Sequence, residues 1–130
     1  MYFADTGLLC YLVGLRDPEH AAAGPMGGAI FENLVVAEIF KTTLHRGEEP
    51  SFYFWRTASG NEVDLVIESQ SGLVPIEIKL SATPRPEMAR GIADFKRGLR
   101  ERAANGYVVH PGKIALPLGG GVIALPFAAL

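Results

Sequence analysis

The sequence has little cysteine, no long apolar run and no excess of positive charge, and each shortage argues against a class of protein. The chain of 130 residues contains one cysteine, Cys10. A disulfide framework is therefore excluded, and a reducing cytoplasm is the expected compartment. No apolar run is long enough to span a bilayer. The formal net charge of −2 gives no support to a nucleic-acid partner, because such domains usually carry a basic excess.

Length and hydrophobic pattern predict one compact α/β domain with a mixed (α+β) sheet. We expect an N-terminal helical segment and loop over residues 1–27 and the core of the domain over residues 28–130. The helix at 29–44 is apolar almost all round and is therefore expected to be packed on most sides. The predicted elements are helices at 2–15, 29–44 and 86–104, and strands at 51–56, 62–68, 74–80, 107–110 and 122–125.

The most informative feature is the predicted hairpin formed by the strands at 62–68 and 74–80. If residues 69–72 form its loop, Asp64 lies opposite Glu77 and Glu62 lies opposite Lys79. Alternation then places these four charged residues on one face of the hairpin. The opposite face, which holds Val63, Leu65, Ile76 and Ile78, becomes the core face.

Two carboxylates directly opposite each other on neighbouring strands repel, so this arrangement does not help folding. It does suit Mg²⁺ or Mn²⁺, because a hard cation takes carboxylate oxygens and keeps waters for its remaining positions. Lys79 would then orient an attacking water or neutralise developing charge. The competing interpretation is a solvated strand face with ordinary surface ion pairs, each worth about 0–1 kcal/mol.

A third acidic residue, Glu32, favours the metal site. It lies in the helix at 29–44 with apolar residues one turn away, where a carboxylate is costly unless a cation or donors meet it. The alternative is an acid that is stabilised near a helix N-terminus by the helix dipole. Glu38 is a similar residue, but Thr42 one turn on makes an exposed position easier to accept.

Three short motifs in the order Gly28-x-x-x-Glu32, Asp64 and Glu77-x-Lys79 carry a family resemblance. Their order is similar to that of the PD-(D/E)xK nuclease superfamily, and most closely its archaeal Holliday-junction resolvase-like branch. Nearly the whole chain also resembles a narrower group, a domain of unknown function that follows the ATPase module of prokaryotic AAA+-type ATPases. The segments that carry this second resemblance are "YFADTGLLCYLVGL", "GAIFENLVVAEIF", "FYFWRTASGNEVDLVIE" and "VPIEIKLS".

The resemblance implies a restriction-endonuclease-like core with the order helix, three strands, helix, strand. It implies that Glu32, Asp64 and Glu77 bind Mg²⁺ or Mn²⁺, that Lys79 is catalytic with them, and that DNA is the partner. No G-x-x-x-x-G-K-[ST] motif occurs, so the ATPase module is absent from this chain. The sequence thus resembles a C-terminal fragment or a truncated relative of such an ATPase.

Two other hypotheses belong to different functional classes. The first is a non-enzymatic domain of the same fold, which binds DNA or docks a protein partner, because members of this fold also serve as binding domains. The second is an aspartic-protease half-site built on Asp5-Thr6-Gly7. The predicted long helices argue against that nearly all-β fold. His20, His45 and His110 are too widely spaced to suggest a metal site.

Overall fold

The computed structural model describes residues 23–130, which form two helices and six strands with three short 3₁₀ turns. The predicted helix at 2–15, Cys10, His20 and the Asp5-Thr6-Gly7 motif lie outside the described residues. In chain order the elements are α1 Gly27–His45, β1 Phe52–Arg56, β2 Glu62–Ser69, β3 Gly72–Ile78, a 3₁₀ turn Pro86–Ala89, α2 Arg90–Leu99, a 3₁₀ turn Arg100–Arg102, β4 Gly106–His110, β5 Leu116–Gly119, β6 Val122–Pro126 and a 3₁₀ turn Phe127–Ala129.

Helix α1 confirms the prediction made from its glycine-free and proline-free sequence. It ends at His45, and Gly47 follows with a φ of +71°, a conformation that favours glycine. Its buried residues do not form a single stripe, as expected for a helix that is apolar on most sides. They are Gly27, Ile30, Phe31, Val35, Val36 and Ala37.

The described residues form one mixed six-stranded sheet with the order β1-β2-β3-β4-β6-β5. Strands β1, β2 and β3 are antiparallel neighbours, whereas β4 is parallel to both β3 and β6. The sequence prediction missed β5, which contains Pro117 and ends at Gly119. Proline is tolerated in β5 because the strand lies at an edge of this sheet and pairs with β6.

Apolar side chains cover both faces of the central strands. On one face, α1 packs against Leu65, Ile76, Ile78 and Val109. On the other face, Ile92 of α2 packs against Val108 and Val122. Full burial of each such side chain contributes about 1.5–3 kcal/mol to folding. Strand β3 itself contacts both helices, and this determines the surroundings of Glu77.

The helix predicted at 86–104 is shorter than expected. A 3₁₀ turn precedes α2, and α2 itself spans Arg90–Leu99. Arg100 then takes a φ of +48°. Beyond it, Ala103 bridges to Leu73 of β3, and the Ala104 N–H donates to the Leu73 carbonyl at 2.9 Å. These contacts to the sheet require extended backbone, so the chain leaves the helix before its sequence pattern ends.

The helices of the described residues are not long and apolar enough to cross a membrane.

Candidate functional site

The β2–β3 hairpin has the predicted register. Leu65 pairs with Ile76 and Glu68 pairs with Leu73, as expected from the alternation. The turn is shorter than the predicted loop at 69–72, because Ser69 pairs with Gly72 and leaves two residues at the tip. Gly72 has a φ of +115°, which a residue with a side chain rarely adopts, and this glycine allows the tight turn.

Asp64 lies just beyond the regular part of the hairpin ladder. Its Oδ2 accepts a hydrogen bond from the backbone N–H of Ile78 at 2.7 Å. The side chain thus bridges from β2 to the end of β3. This contact brings Asp64 close to Lys79, whose Nζ lies 3.9 Å from the same Oδ2.

Glu77 and Lys79 form the closest charge pair of this group. Lys79 Nζ lies 2.7 Å from Glu77 Oε2 and therefore stands between the carboxylates of two neighbouring strands. Glu77 is 3% exposed, whereas the Lys79 side chain is 39% exposed. We refer to Asp64, Glu77 and Lys79 as the acid–lysine cluster.

The face that carries the cluster is not a solvated strand face, which was the competing interpretation of the sequence. Helix α2 covers it, and Gly91 of α2 packs directly against Glu77. The predicted core face is also wrong at one residue: Val63 packs with Val66 and Phe95 on the α2 side, whereas Leu65 packs on the α1 side. The cause is a β-bulge, in which Asp64 and Leu65 together face one residue of β1.

Burial raises the pKa of Glu77 to about 7, because a charged carboxylate loses its hydration beneath α2. The Lys79 ammonium lowers this pKa, but the negative charge of Asp64 raises it further. Glu77 Oε2 makes no well-aligned hydrogen bond with any described residue, although the ammonium lies 2.7 Å away. Oε2 is therefore held by an ion pair and keeps unused acceptor capacity.

The pKa of Lys79 is raised, although the residue is partly buried. Partial burial alone would lower the pKa of its ammonium, but contact with Glu77 and the charges of Glu77, Asp64 and Glu62 raise it. Lys79 therefore remains charged at neutral pH. It supplies the positive charge that the acids of the cluster need.

The charges of the cluster act on the carboxylate of Glu32. The pKa of Glu32 is raised, first by partial burial of its carboxylate and then by the negative charge of Asp64, while Lys79 lowers it. The residue as a whole is exposed, so the predicted burial of Glu32 in an apolar stripe is wrong. The helix-dipole alternative would place Glu32 in the first turn of α1, but the residue lies beyond that turn. Glu38, by contrast, pairs with Lys41 at 3.0 Å on the surface.

Glu62, predicted to lie opposite Lys79, is exposed and lies at the margin of the cluster. Its Oε2 is 3.8 Å from Arg56 Nε on the edge strand. Its negative charge nevertheless raises the pKa of both Lys79 and Glu32. Glu62 thus contributes to the field around the cluster, while its own side-chain contact is with β1.

The donor set suits a hard divalent cation in part. Asp64 and Glu77 offer carboxylate oxygens, the ligands that Mg²⁺ and Mn²⁺ prefer. The buried Oε2 of Glu77, which lacks a well-aligned hydrogen bond among the described residues, has capacity for such a ligand bond. Within residues 23–130, however, no three acidic, histidine or cysteine side chains converge as a metal-binding group. The third predicted ligand, Glu32, would have to move to complete one.

Two features near the site were not anticipated from the sequence. Gly91 lies against Glu77, and its only signal was a glycine inside a predicted helix. His110 at the end of β4 is fully buried, and its Nδ1 accepts a hydrogen bond from the Gly112 N–H at 3.0 Å. No motif in the sequence indicated a buried imidazole there.

The basic residues that follow Pro86 lie on the surface, with one exception. Arg90, Arg97 and Arg100 are exposed. Lys96 instead donates from Nζ to the Gly120 carbonyl at 3.0 Å, in the turn between β5 and β6. This lysine holds a glycine-rich turn against α2.

Fold and site together define a small mixed α+β domain with paired carboxylates and a lysine at the end of its central hairpin. The chain belongs to the family described as "Domain of unknown function (DUF4143)", whose model matches residues 27–130. This confirms the predicted resemblance at the level of a domain of unknown function.

Two mycobacterial proteins are similar to the chain over most of its length. The uncharacterized protein Rv2008c of Mycobacterium tuberculosis is 30% identical over 126 residues, which is 97% of this chain and 27% of that protein. The uncharacterized protein Mb2031c of Mycobacterium bovis has the same identity and coverage. The chain thus spans 27% of the length of these relatives.

Proposed function

We propose that this chain is a metal-dependent nuclease-like domain that acts on or binds DNA, as part of an AAA+-type ATPase of the cytoplasm. The observation that carries the proposal is the buried carboxylate of Glu77. It lies beside Asp64 on the neighbouring strand and 2.7 Å from the ammonium of Lys79.

The energetic cost of this arrangement supports a functional role. Burial of a carboxylate costs several kcal/mol, and a buried ion pair often stabilises a fold no better than apolar residues of similar volume. The neighbouring Asp64 increases this cost, because burial and the negative charge of Asp64 both raise the pKa of Glu77 towards neutrality. Groups with strongly shifted pKa values concentrate at functional sites.

The proposed chemistry assigns a role to each residue of the cluster. Asp64 and Glu77 would hold Mg²⁺ or Mn²⁺, with Glu32 as the third carboxylate from α1. When bound, such a cation lowers the pKa of a water and stabilises negative charge on a phosphoryl group. Lys79 would place its ammonium, partly exposed at the mouth of the cluster, where charge develops on the substrate during cleavage.

The ATPase association rests on the resemblance and on the length of the relatives. Because the chain spans 27% of those proteins, they have room for an ATPase module that this sequence lacks. A nuclease-like domain in such a protein would act where the ATPase brings it to DNA.

A second function, a DNA-binding or protein-docking domain without catalysis, is favoured by one observation. No group of three metal-binding side chains is assembled in the described part of the chain. Lys79 Nζ lies within ion-pair distance of both acids, so each carboxylate has a cationic partner without a metal ion. In this alternative the ion pair would keep the hairpin end in shape for a partner.

A cleavage assay separates the two functions. We expect the purified protein, with its ATPase module where the natural protein carries one, to cut branched or single-stranded DNA in Mg²⁺ or Mn²⁺ but not in EDTA. Asp64→Asn should remove the activity, while Glu68→Gln on the same strand, which is exposed, should retain it. Metal binding without cleavage of any DNA form would favour the non-catalytic domain.

A further inference from the structure

We infer that Gly91 is a positioning residue for the Glu77 carboxylate, and that its missing side chain lets α2 close over this carboxylate. Its importance for metal binding rests on the proposed function, whereas its effect on Glu77 does not. Gly91 is the second residue of α2, so it belongs to the turn that lies above the hairpin end.

The contact at Gly91 leaves no room for a methyl group. A Cβ at this position would overlap both Glu77 Oε1 and the backbone carbonyl oxygen of Glu62. One of these atoms belongs to a side chain that has another charged contact, and the other is fixed backbone at the start of β2. A side chain at residue 91 would therefore push Glu77 aside or lift the start of α2 from the sheet.

The two oxygens of Glu77 have different neighbours. Oε1 lies against Gly91 of α2, and Oε2 lies 2.7 Å from Lys79 Nζ. Movement of the carboxylate away from α2 would change its position relative to Lys79 and Asp64. Because ligand bonds to a small hard cation tolerate little displacement, the close approach of α2 at Gly91 sets the geometry available to Glu77.

The same helix provides a matched control. Gly98 also lies in α2, but a Cβ built there would have no atom within 4 Å. Alanine at either position gains the same intrinsic helix propensity. A difference between Gly91→Ala and Gly98→Ala therefore reports the contact with Glu77 and Glu62, and not the preference of the helix for alanine.

The first measurement is Mn²⁺ affinity by isothermal titration of the full protein. Gly91→Ala should weaken binding at least about tenfold, while Gly98→Ala should stay within about twofold of the wild type. Equal affinity in the two variants would overturn the inference. A wild type that binds no Mn²⁺ would contradict the proposed function, and Gly91 is then decided by the second measurement.

The second measurement is a double-mutant cycle in the metal-free protein. The melting temperature should fall in Gly91→Ala, and it should fall much less when the same change is made in a Glu77→Ala background. The Glu77→Ala/Gly91→Ala variant keeps the overlap with the Glu62 carbonyl oxygen but loses the overlap with the carboxylate. It should therefore fold even if Gly91→Ala alone does not. An equal loss in both backgrounds would assign the contact to Glu62 alone and overturn the role of Gly91 for Glu77.

Discussion

Glu77→Gln is expected to stabilise the metal-free protein at pH 8 by on the order of 3 kcal/mol. Burial raises the pKa of Glu77 from 4.5 to about 7, and each pKa unit corresponds to about 1.4 kcal/mol. Glutamine keeps the shape of the side chain but removes the buried charge. Its neutral amide can still contact Asp64 or Lys79. The ammonium of Lys79 keeps its contact with Asp64 and is partly exposed, so no buried charge loses its only partner.

The stability of the wild type should also decrease as the pH rises, because of Glu77. The folded protein holds the Glu77 proton more tightly than the unfolded chain, in which the pKa is near 4.5. The contribution of this proton to stability is therefore fully present below about pH 4.5 and is lost as the pH rises through about 7. Glu77→Gln should lack this decline.

Urea denaturation in EDTA at pH 5 and pH 8 measures both effects. The wild type should lose stability between the two pH values more steeply than Glu77→Gln. Glu68→Gln is the matched control, because Glu68 lies on β2 but is exposed, and it should follow the wild type. If Glu77→Gln is less stable than the wild type at pH 8, the buried carboxylate does not have the expected cost.

Lys79→Ala is expected to reduce the rate of DNA cleavage by about 10²–10³-fold, while Mn²⁺ still binds. Loss of a single preorganised group that stabilises transition-state charge has an effect of this size. The ammonium competes with a cation for Asp64 and Glu77, which lie 3.9 Å and 2.7 Å from Nζ. Its removal should therefore leave metal affinity equal to or higher than that of the wild type at pH 8.

Lys41→Ala provides the control for this experiment. Lys41 is an exposed lysine on α1 that pairs with Glu38, and an exposed pair contributes little to stability. Single-turnover cleavage and Mn²⁺ titration on both variants separate chemistry from binding. Retained cleavage in Lys79→Ala would assign the lysine a structural role as counter-ion of Glu77.

The register of the central hairpin was predictable because two different signals agree. The alternation of polar and apolar residues in both strands defines which residues share a face, and the Ser-Gly turn limits the offset. Asp64 and Glu77 therefore lie on neighbouring strands as expected. The bulge at Asp64 and Leu65 was not predictable, because period-two alternation cannot reveal an extra residue in a ladder.

The surroundings of the acids were beyond the reach of the strand pattern. A polar residue in an alternating strand indicates a shared face but not what packs above it. Glu77 is 3% exposed because α2 approaches at Gly91, a long-range contact that leaves only a glycine in the sequence. Glu32 shows the converse: its apolar neighbours suggested burial, yet it is exposed and reaches the cluster through its charge.

The central claim is that Asp64 and Glu77 together bind a divalent cation. Isothermal titration of the purified protein with Mn²⁺ at pH 8 tests it most directly, with Asp64→Asn, Glu77→Gln and Glu68→Gln titrated in parallel. Both cluster substitutions keep the shape and remove the charge that holds a hard cation. The account predicts binding by the wild type and by Glu68→Gln, and none by the other two. A wild type that binds no Mn²⁺, or binding that survives both cluster substitutions, would contradict it.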